Sequence, residues 1–594
     1  MINIRIEPVG KEAAFRETIT ILDALRRIDI SVFSSCSGNK TCGECRVKIT
    51  GIVPGIDDID KIFITPKDLE KGWRLACLHN IEDKMIIEIP DLPKKGKILV
   101  SDLKKTEKPD INIDKYFIRS EVLKQETGSS YLNIINKLSL ADSKIYVSKD
   151  KFAQIEKNMD NDFTICIHGK RIIHVEKGDK SDRKYGLAVD IGTTTVVGML
   201  VDLNTGKTIA VEWGMNAQSK YGADIMSRID YSSKTKKGLK ILQNSIAVTL
   251  NNIIKGLRIK TGINTTNIYS AAIACNTVMA HIFAGISPSS MGYFPFRPVF
   301  LDDITIKGKD TGLNVNPEAE ISLIPGIGGF VGGDITAIIF ITGLHKKNEV
   351  SLALDLGTNG EMVLGSKNSI TGGSTAMGPA FEGAQISCGM PAFEGALCKF
   401  SIENNKIQYK VLGNKESSGI CGSGLVDIIA EFLNNGIIDS TGRLNHTENS
   451  KFKNNIFEIN GQKAFLIYKN KSKQVFVSQR DIREFQLAKG AVRAGIEILL
   501  KQNQTEIENI DKIYIAGAFG NYLSKKSLIK IKIFPDFPLE KLHFVGNTAS
   551  MGAKAALLSK NVKKEMRSIA QNTRHISFAG DPEFQDIFTE SMLF

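Results

Sequence analysis

Apolar residues near the start of the chain follow first a strand pattern and then a helix pattern. Every second residue from Ile2 to Ile6 is apolar, which predicts a half-buried strand. Apolar residues recur at helical spacing from Ile21 to Leu25 and predict a short amphipathic helix. The apolar run that starts at Met85 predicts a closing strand. We therefore expect residues 1–92 to form one small domain.

Two less informative segments follow this domain. Residues 93–110 are charged and contain prolines, which predicts an extended linker. Such a linker either lets the first domain swing or is a plain spacer. Residues 111–183 are expected to form a small α/β domain, with a helical face that includes Ile134 and Leu138 and a hairpin that turns at Gly169. No catalytic pattern is visible in this domain.

A strand, an aspartate and a Gly-Thr turn occur twice in residues 184–594. The first copy begins its turn at Asp190 and the second at Asp355, and each turn lies between two apolar strands. Such a turn presents backbone N–H groups to phosphate oxygens, and the aspartate can hold Mg²⁺ through water. A third, glycine-rich loop follows another apolar strand and allows the close approach of a flat ligand. The candidate ligand-binding residues are Gly192, Thr193, Thr194, Thr195, Gly357, Thr358, Asn359, Gly517, Ala518, Phe519 and Gly520.

This repeat predicts a nucleotide-binding domain with one phosphate loop near residue 190 and another near 355. One Asp-x-Gly-Thr turn is weak evidence, because glycine turns after strands are common. Two copies and a glycine-rich third loop are stronger. The alternative is a duplicated domain that no longer binds a nucleotide, since a fold does not imply its function.

Four cysteines in the N-terminal domain have the spacing of iron ligands. Cys36, Cys42, Cys45 and Cys77 follow the pattern C-x5-C-x2-C-x31-C. The plant-type [2Fe-2S] pattern is the same with one residue fewer in the first gap. A structural zinc site usually has two C-x2-C pairs, and disulfides need an oxidising compartment. A [2Fe-2S] cluster is therefore favoured over both alternatives.

The loop that carries the first three cysteines also contains two glycines. Gly38 and Gly43 are expected to adopt positive φ angles and to bring backbone N–H groups close to sulfur. The order of strand, helix, cysteine loop and late strand predicts a β-grasp domain of the ferredoxin type.

Composition and charge narrow the function further. The chain has 594 residues, of which 42% are hydrophobic and 24% charged, as in ordinary globular proteins. No apolar run is long enough to span a bilayer, and the longest, residues 335–344, is expected to be a buried helix or strand. No signal peptide is recognisable, so we expect a cytoplasmic protein. The net charge of +12 comes from dispersed lysines without a nucleic-acid-binding motif, which favours solvated surface. An acidic protein partner remains open.

The three loops resemble the phosphate-1, phosphate-2 and adenosine motifs of the acetate and sugar kinase/Hsp70/actin superfamily. That resemblance implies a two-lobed, ribonuclease H-like ATPase domain that holds the nucleotide between its lobes. It implies that Asp190 and Asp355 bind Mg²⁺ and that residues 517–520 bind the adenosine. Asp334 opens an apolar helix and is expected to orient the attacking water, with a simple N-cap as the equal alternative. Glu361 is an alternative base.

The order of the domains resembles that of the reductive activators of corrinoid-dependent methyltransferases. The resemblance covers nearly the whole chain, including the glycine-rich segments 222–229, 325–334, 376–384, 420–427 and 545–552. It implies that an electron from the [2Fe-2S] cluster converts an inactive Co(II) corrinoid to Co(I) on a separate corrinoid protein, with ATP and Mg²⁺ as further cofactors. It also implies a low-potential donor such as a ferredoxin or flavodoxin, without nucleic acid or membrane, and is compatible with a homodimer.

The corrinoid contact is expected in the loop that contains Ser387 and Cys388. Their oxygen and sulfur are the atoms expected to approach cobalt. Relatives are expected to have an arginine and then Ala-Ala-Pro-Gly after the following methionine. This chain has Pro-Ala-Phe-Glu-Gly at 391–395 instead. A purely structural turn is the favoured alternative for Ser387, because loop residues beside glycines most often only turn the chain.

Three other functions fit parts of the sequence. An activator of radical dehydratases is also ATP-driven but uses a cluster that bridges two subunits, whereas this chain has four cysteines of its own. A superfamily kinase with a redox-sensing domain would be stimulated by a metabolite. An electron carrier with an inactive ATPase half would function without the aspartates of the phosphate loops.

Overall fold

The structure is a computed structural model. It describes the chain except residues 9, 29, 31, 33–37, 39, 41–42, 44, 90–108, 122–133, 135–144, 446–450, 460, 471–473, 518–522 and 535–536. The linker expected at 93–110 therefore lies almost entirely outside the described residues. The described strands form separate sheets for the N-terminal domain, the small domain and each of the two lobes that follow.

The N-terminal domain is a five-stranded sheet with one helix across it and two short helices before its fourth strand. The elements are β1 (Ile2–Glu7), β2 (Lys11–Phe15), α1 (Ile21–Arg27), β3 (Arg46–Thr50), α2 (Asp58–Phe63), α3 (Pro66–Glu70), β4 (Trp73–Leu75) and β5 (Met85–Glu88). The strand order is β2-β1-β5-β3-β4, with β1 and β5 parallel. The apolar faces of β1 and α1 pack in one core, and Thr20 caps α1. The predicted β-grasp is confirmed.

The small domain is a three-stranded antiparallel sheet with a helix. Its described elements are β6 (Ile113–Ile118), α4 (Lys149–Lys157), β7 (Phe163–His168) and β8 (Arg171–Lys177). The predicted hairpin is present, and Gly169 at its turn has φ +58°. Of the predicted helical face, Ile134 is buried and Leu138 lies outside the described residues. The domain attaches to the first lobe through the hydroxyl of Tyr269, which donates to Glu176.

The first lobe contains the first phosphate turn. Its elements are β9 (Tyr185–Ile191), β10 (Thr195–Asp202), β11 (Thr208–Met215), α5 (Ile225–Lys234), α6 (Gly238–Thr261), β12 (Ile268–Cys275), α7 (Thr277–Ala284), β13 (Thr305–Lys307), α8 (Gly308–Thr311) and β14 (Glu320–Leu323). The sheet order is β11-β10-β9-β12-β14-β13. β9 pairs antiparallel with β10 and parallel with β12, so the phosphate turn lies at the edge where β9 and β12 end.

The second lobe begins after the apolar helix α9 (Gly333–Thr342) and contains the second turn. Its helices are α10 (Gly422–Asn434), α11 (Gln479–Gln502), α12 (Lys525–Lys530), α13 (Thr548–Leu558), α14 (Lys560–Asn572) and α15 (Phe584–Ser591). Its strands are β15 (Ser351–Leu356), β16 (Asn359–Gly365), β17 (Ile370–Ala376), β18 (Ala396–Glu403), β19 (Lys406–Val411), β20 (Gly419–Ile420), β21 (Ile456–Ile459), β22 (Gln462–Lys469), β23 (Gln474–Ser478), β24 (Lys512–Ala516), β25 (Leu542–Gly546) and β26 (Thr573–His575).

The two lobes share one topology. The main sheet of the second lobe has the order β25-β24-β15-β16-β17-β26, in which β15 pairs antiparallel with β16 and parallel with β24. This repeats the arrangement of β10, β9 and β12 in the first lobe. Each lobe has its own apolar core. The internal repeat thus folds as two like sheets, and the predicted two-lobed fold is confirmed.

Two helices pack between the sheets. α13 contacts β9 and β12 of the first sheet, and α9 packs against α13 and against the second sheet. Gly552 lies where these helices cross, and a Cβ there would overlap Ala337. The apolar run at 335–344 is thus a buried helix and a turn that follows it, as predicted. Among the described residues, no helix combines the length and apolarity that a membrane crossing requires.

Candidate functional site

The first phosphate turn is a tight connection between β9 and β10. The Gly192 N–H donates to the Thr195 carbonyl at 3.0 Å, and a Cβ on Gly192 would lie 2.6 Å from that oxygen. A glycine is therefore required for this turn. The buried Arg228 holds the loop from behind, because its Nη2 donates to the Thr193 carbonyl at 2.6 Å. Burial lowers the pKa of Arg228 to about 10.

The second turn is also closed by a bond from its glycine N–H, over one residue fewer, and it meets the first turn across the cleft. The Gly357 N–H donates to the Asn359 carbonyl at 3.1 Å. The hydroxyl oxygens of Thr194 and Thr358, which are 164 residues apart in sequence, lie 3.1 Å apart. The structure therefore brings the two predicted phosphate loops together. The two backbone turns and their two threonine hydroxyls present donors on both sides of one narrow gap.

A group of acidic side chains surrounds this gap. Burial raises the pKa of Asp190 to about 6, of Asp334 to about 7 and of Asp355 to about 8. The charges of Asp334, Asp190 and Glu382 raise the pKa of Asp355 further. Burial and the charges of Asp334 and Asp355 raise the pKa of Glu361 well above its usual value. Carboxyl groups this close together repel one another, which fits a site for a divalent cation.

These acids suit Mg²⁺ held through water and phosphate rather than direct ligation. Among the described residues, no three His, Cys, Asp or Glu side chains are arranged to ligate a metal together. Asp190 accepts a hydrogen bond from the Asn547 side chain at 2.8 Å, which orients its carboxylate. Mg²⁺ usually keeps several waters and binds one or two carboxylates. Asp190 and Asp355 fit that requirement.

Asp334 lies in the first turn of α9 and is not its N-cap. Gly332 holds the N-cap position, so the N-cap alternative for Asp334 is wrong. One carboxylate oxygen of Asp334 accepts the N–H of the next residue at 2.8 Å. The N-cap glycine packs closely against Asn276, because a Cβ on Gly332 would lie 2.6 Å from Asn276 Cα. Glu361, the alternative base, is buried and accepts from the Asn276 side chain at 3.3 Å.

The third predicted loop is only partly described. Gly517 follows β24 with φ +106°, and its N–H donates to the Gly546 carbonyl at 3.1 Å. The conformation favours glycine, as expected for a loop that a flat ligand approaches. Ala518, Phe519 and Gly520 lie outside the described residues.

The described part of the cysteine loop fits a cluster. Cys45 and Cys77 are both buried, and they flank the paired strands β3 and β4. The Ala76 N–H donates to the Cys45 carbonyl at 2.8 Å, which brings the two cysteine positions together. Cys36 and Cys42 lie outside the described residues. Two adjacent buried thiols, one from the loop and one from the distant strand, are what four-thiolate ligation requires of them.

The glycines of this loop behave as predicted. Gly38 has φ +100° and Gly43 has φ +67°, both in the region that favours glycine. A Cβ on Gly43 would overlap the ring of Phe63 at the end of α2. Nothing larger than glycine therefore fits between the loop and this ring.

A buried hydrogen-bonded pair, Asp60 and His79, that the sequence pattern did not reveal supports the distant cysteine. Asp60 on α2 is fully buried and contacts His79 Nε2 at 2.6 Å. Its other oxygen accepts the Leu75 N–H at 2.9 Å. Burial alone would raise the pKa of Asp60, but the bonds from His79, Leu75 and Asp57 hold it below its usual value. Asp60 thus fixes both β4 and the residue two positions after Cys77.

The predicted corrinoid-facing residues lie on a partly buried loop of the second lobe. Ser387 is exposed, and its N–H and hydroxyl both donate to the Asp481 carboxylate, at 2.7 and 2.9 Å. Asp481 is buried in the capping box that starts α11. Two residues earlier, Gln385 has φ +64°, which is uncommon outside glycine and is often found at functional loops. Cys388 is half-buried.

The N-terminal domain contacts the same helix end. The Arg480 guanidinium lies over the Phe63 ring, 5.8 Å from its centre. Phe63 packs on Gly43 of the cysteine loop, and Arg480 is next to Asp481, which holds Ser387. The cysteine loop and the Ser387 loop are therefore neighbours through one aromatic ring and one helix terminus.

Family models match three consecutive parts of the chain. A 2Fe-2S iron-sulfur cluster binding domain matches residues 4–82, the RACo middle region matches 185–347, and the C-terminal domain of RACo, the ASKHA domain, matches 349–594. The boundaries follow those of the N-terminal domain and of the two lobes. The small domain lies between the first two matches.

Two curated proteins match most of the chain. The corrinoid activation enzyme RamQ of Eubacterium limosum is 36% identical over 439 residues, which are 72% of this chain and 74% of that protein. The [Co(II) methylated amine-specific corrinoid protein] reductase of Methanosarcina barkeri is 24% identical over 437 residues, 68% of this chain and 76% of that protein. The solved structure of a reductive activator for corrinoid, iron-sulfur protein matches with a TM-score of 0.76 and 30% identity, over 100% of this chain and 98% of that one.

Proposed function

The chain belongs to the family of reductive activators of corrinoid proteins, and on that premise we propose how its own residues perform ATP-dependent activation. The reaction is the one-electron reduction of an inactive Co(II) corrinoid to Co(I) on a separate protein. The observation that supports the proposal is the contact of Thr194 with Thr358 at 3.1 Å. It closes a nucleotide cleft on the chain that also carries the four cysteines.

The cleft residues fall into three groups: hydrogen-bond donors to the phosphates, ligands of the cation, and a base. Residues 192–195 and 357–359 donate N–H and hydroxyl groups to the phosphates. Asp190 and Asp355 hold the Mg²⁺ that neutralises phosphate charge. Asp334 accepts a proton from the attacking water, for which its raised pKa of about 7 is suited at neutral pH. Gly517 and the three residues after it bind the adenosine.

The cysteine loop supplies the electron. Cys36, Cys42, Cys45 and Cys77 hold the [2Fe-2S] cluster, which carries one electron at a time when it is bound. Phe63 and Arg480 place the cluster domain beside the Ser387 loop. We therefore assign the corrinoid contact to Ser387 and Cys388. Asp481 orients Ser387 through two hydrogen bonds and leaves the exposed side of the loop for the partner.

The activator must make an uphill electron transfer favourable. Co(I) is a strong reductant, and each ~59 mV uphill is a tenfold penalty for one electron, or about 1.4 kcal/mol. Docking can offset this penalty only if the activator binds the two cobalt states with different affinity. We propose that docking removes an axial ligand from cobalt and that ATP turnover then releases the partner.

The same proposal includes the electron donor and the compartment. A low-potential donor such as a ferredoxin or flavodoxin reduces the cluster. The protein acts in the cytoplasm, where cysteine thiols stay reduced. A homodimer is compatible with this scheme and is tested by sedimentation of the anaerobically purified protein.

The decisive experiment mixes the anaerobic protein with a Co(II) corrinoid protein, Mg²⁺ and a low-potential reductant, with and without ATP. We expect the Co(I) absorption band to grow only with ATP. Asp190→Ala should abolish this growth, because it removes the carboxylate that Asn547 orients toward the cation. Asp182→Ala, at an exposed site outside the cleft, is the matched control and should behave as wild type.

Two other outcomes would support other functions, and two more would remove parts of this proposal. Reactivation that survives Asp190→Ala indicates a plain electron carrier. ATP hydrolysis that responds to a metabolite and not to a corrinoid protein indicates a kinase. Purified protein without iron and acid-labile sulfide removes the electron donor from the scheme. An unchanged Co(II)/Co(I) potential in the docked complex rules out only one part of the proposal, the loss of the axial ligand.

A further inference from the structure

Glu382 connects the two phosphate loops. It ends a short 3-10 helix, Ala380–Glu382, that follows β17. Its Oε2 accepts the Thr194 hydroxyl at 2.7 Å and the Thr358 hydroxyl at 3.0 Å. One carboxylate oxygen therefore joins turns that come from different lobes. No pattern in the sequence marks this residue for such a role.

This carboxylate occupies a place that suits an anion. The hydroxyls of Thr194 and Thr358 both point their hydrogens at Glu382, as they would at a phosphate oxygen. The buried Arg228 behind the first loop adds a favourable charge. Burial raises the pKa of Glu382, and the two hydroxyl bonds and Arg228 oppose this rise. A carboxylate and a terminal phosphate are both anions, so they compete for these donors.

Glu382 also begins the loop that carries the corrinoid-facing residues. Gly383 has φ +80°, and a Cβ there would lie 2.6 Å from the Met390 carbonyl. A Cβ on Gly389 would in turn overlap the Gly383 carbonyl. The backbone of residues 383–390 is therefore closed on itself without free space. A displacement of Glu382 must move this loop as a unit.

The far side of the loop is attached to the rest of the second lobe by backbone and side-chain hydrogen bonds, and Ile386 packs in the core of that lobe. Ser387 donates to Asp481, the Met390 N–H donates to the Ile420 carbonyl at 2.9 Å, and the Ile420 N–H donates to the Cys388 carbonyl at 2.7 Å. These bonds hold the loop against the second lobe. They are also amides whose exchange with solvent reports the state of the loop.

We propose that Glu382 is a positioning residue that senses the terminal phosphate. In the nucleotide-free protein it holds Thr194 and Thr358 together. The γ-phosphate takes its place between these hydroxyls, Glu382 is displaced, and residues 383–390 move away from Asp481. The inference rests on the proposed function. It explains how nucleotide binding between the lobes affects the corrinoid contact at Ser387. No covalent step is involved.

A comparison of two nucleotide probes distinguishes this role from a purely structural one. The probes are Mg·ADP and the magnesium complex of a non-hydrolysable ATP analogue, without a corrinoid protein. In the wild type we expect the analogue to increase amide exchange in residues 383–390 and ADP to leave it unchanged, because only the analogue has a γ-phosphate. In Glu382→Ala, exchange there should be high without nucleotide and unaffected by either probe. Glu394→Gln, an exposed acid of the same lobe paired with Lys415, is the control and should behave as wild type.

Binding affinity provides a second measurement with a variant that keeps the shape of the side chain. Glu382→Gln can still accept the hydroxyl bonds but carries no charge. We expect it to bind the ATP analogue about tenfold more tightly than the wild type, as for the loss of one like-charge contact, with ADP affinity unchanged. An equal change for both nucleotides, or exchange in 383–390 that is indifferent to the analogue, overturns the proposal.

These outcomes differ from a failure of the proposed function. If the wild type binds neither probe, the ATPase function fails and this inference fails with it. If the wild type binds both and hydrolyses ATP, but the loop does not respond, only the role of Glu382 is refuted.

Discussion

Without nucleotide, the buried carboxylates of the cleft should lower the stability of the protein. A neutral side chain at Asp355 should restore part of that stability. Asp355 has a pKa of about 8 against an ordinary value of 3.8, because of burial and the charges of Asp334, Asp190 and Glu382. It accepts no hydrogen bond from the described residues, so Asp355→Asn removes the charge and little else. The unfolded chain ionises this group near pH 4, whereas the folded protein resists ionisation up to about pH 8.

The sign and the size of the effect follow from this difference. The folded-state pKa is raised, so the wild type loses stability as the pH rises from about 4 to about 8, at about 1.4 kcal/mol per unit. Asparagine does not titrate. Between pH 5 and pH 7 the advantage of Asp355→Asn should therefore grow by about 3 kcal/mol. For a lobe of this size, that corresponds to a rise of roughly 5–10 °C in the Tm difference.

The assay is thermal unfolding of both proteins from pH 5 to pH 8 without nucleotide or Mg²⁺. Asp182→Asn, at an exposed site, is the control and should show no pH-dependent gain. Mg²⁺ and nucleotide should reverse the order, because they need the carboxylate. A Tm difference that is the same at pH 5 and pH 7 would refute the electrostatic explanation.

Two further predictions concern the cluster domain. Asp60→Asn should lower its stability by about 3 kcal/mol, because it breaks a buried pair, as measured by loss of the cluster's visible absorption in denaturant. Asp58→Asn, on the same helix but exposed, should have little effect. Gly43→Ala should destabilise the domain by about 1–3 kcal/mol more than Gly10→Ala, since both have positive φ but only the first meets a side chain. Equal losses within either pair would contradict the burial or contact that we invoke.

Local sequence was sufficient for elements whose pattern is repeated or closely spaced. The Asp-x-Gly-Thr turns follow their strands within a few residues. The strand, the glycine and the hydrogen-bond donors to phosphate could therefore be predicted together. The same is true of Gly38 and Gly43, whose positive φ angles follow from a tight loop around the cysteines. In each case, neighbours in the chain impose the geometry.

The local sequence around Asp334 does not decide the role of this residue. Its position before an apolar helix allowed an N-cap or a residue of the cleft, and the two have the same local sequence. The structure assigns the cap to Gly332, because only a glycine fits against Asn276 there. Packing between elements, and not the helix itself, decided between the alternatives.

By itself, the sequence determined the β-grasp domain, the two like lobes and the positions of the phosphate turns, because short-range periodicity and turn chemistry encode them. The tertiary structure alone decided that Glu382 joins the two turns, that Asn547 orients Asp190 and that Asp60 supports β4. The local sequence of each residue does not specify its partner. The role of each depends on which distant segment the packed cores bring within 3 Å, and a hydrogen bond over that distance exists only in the folded protein.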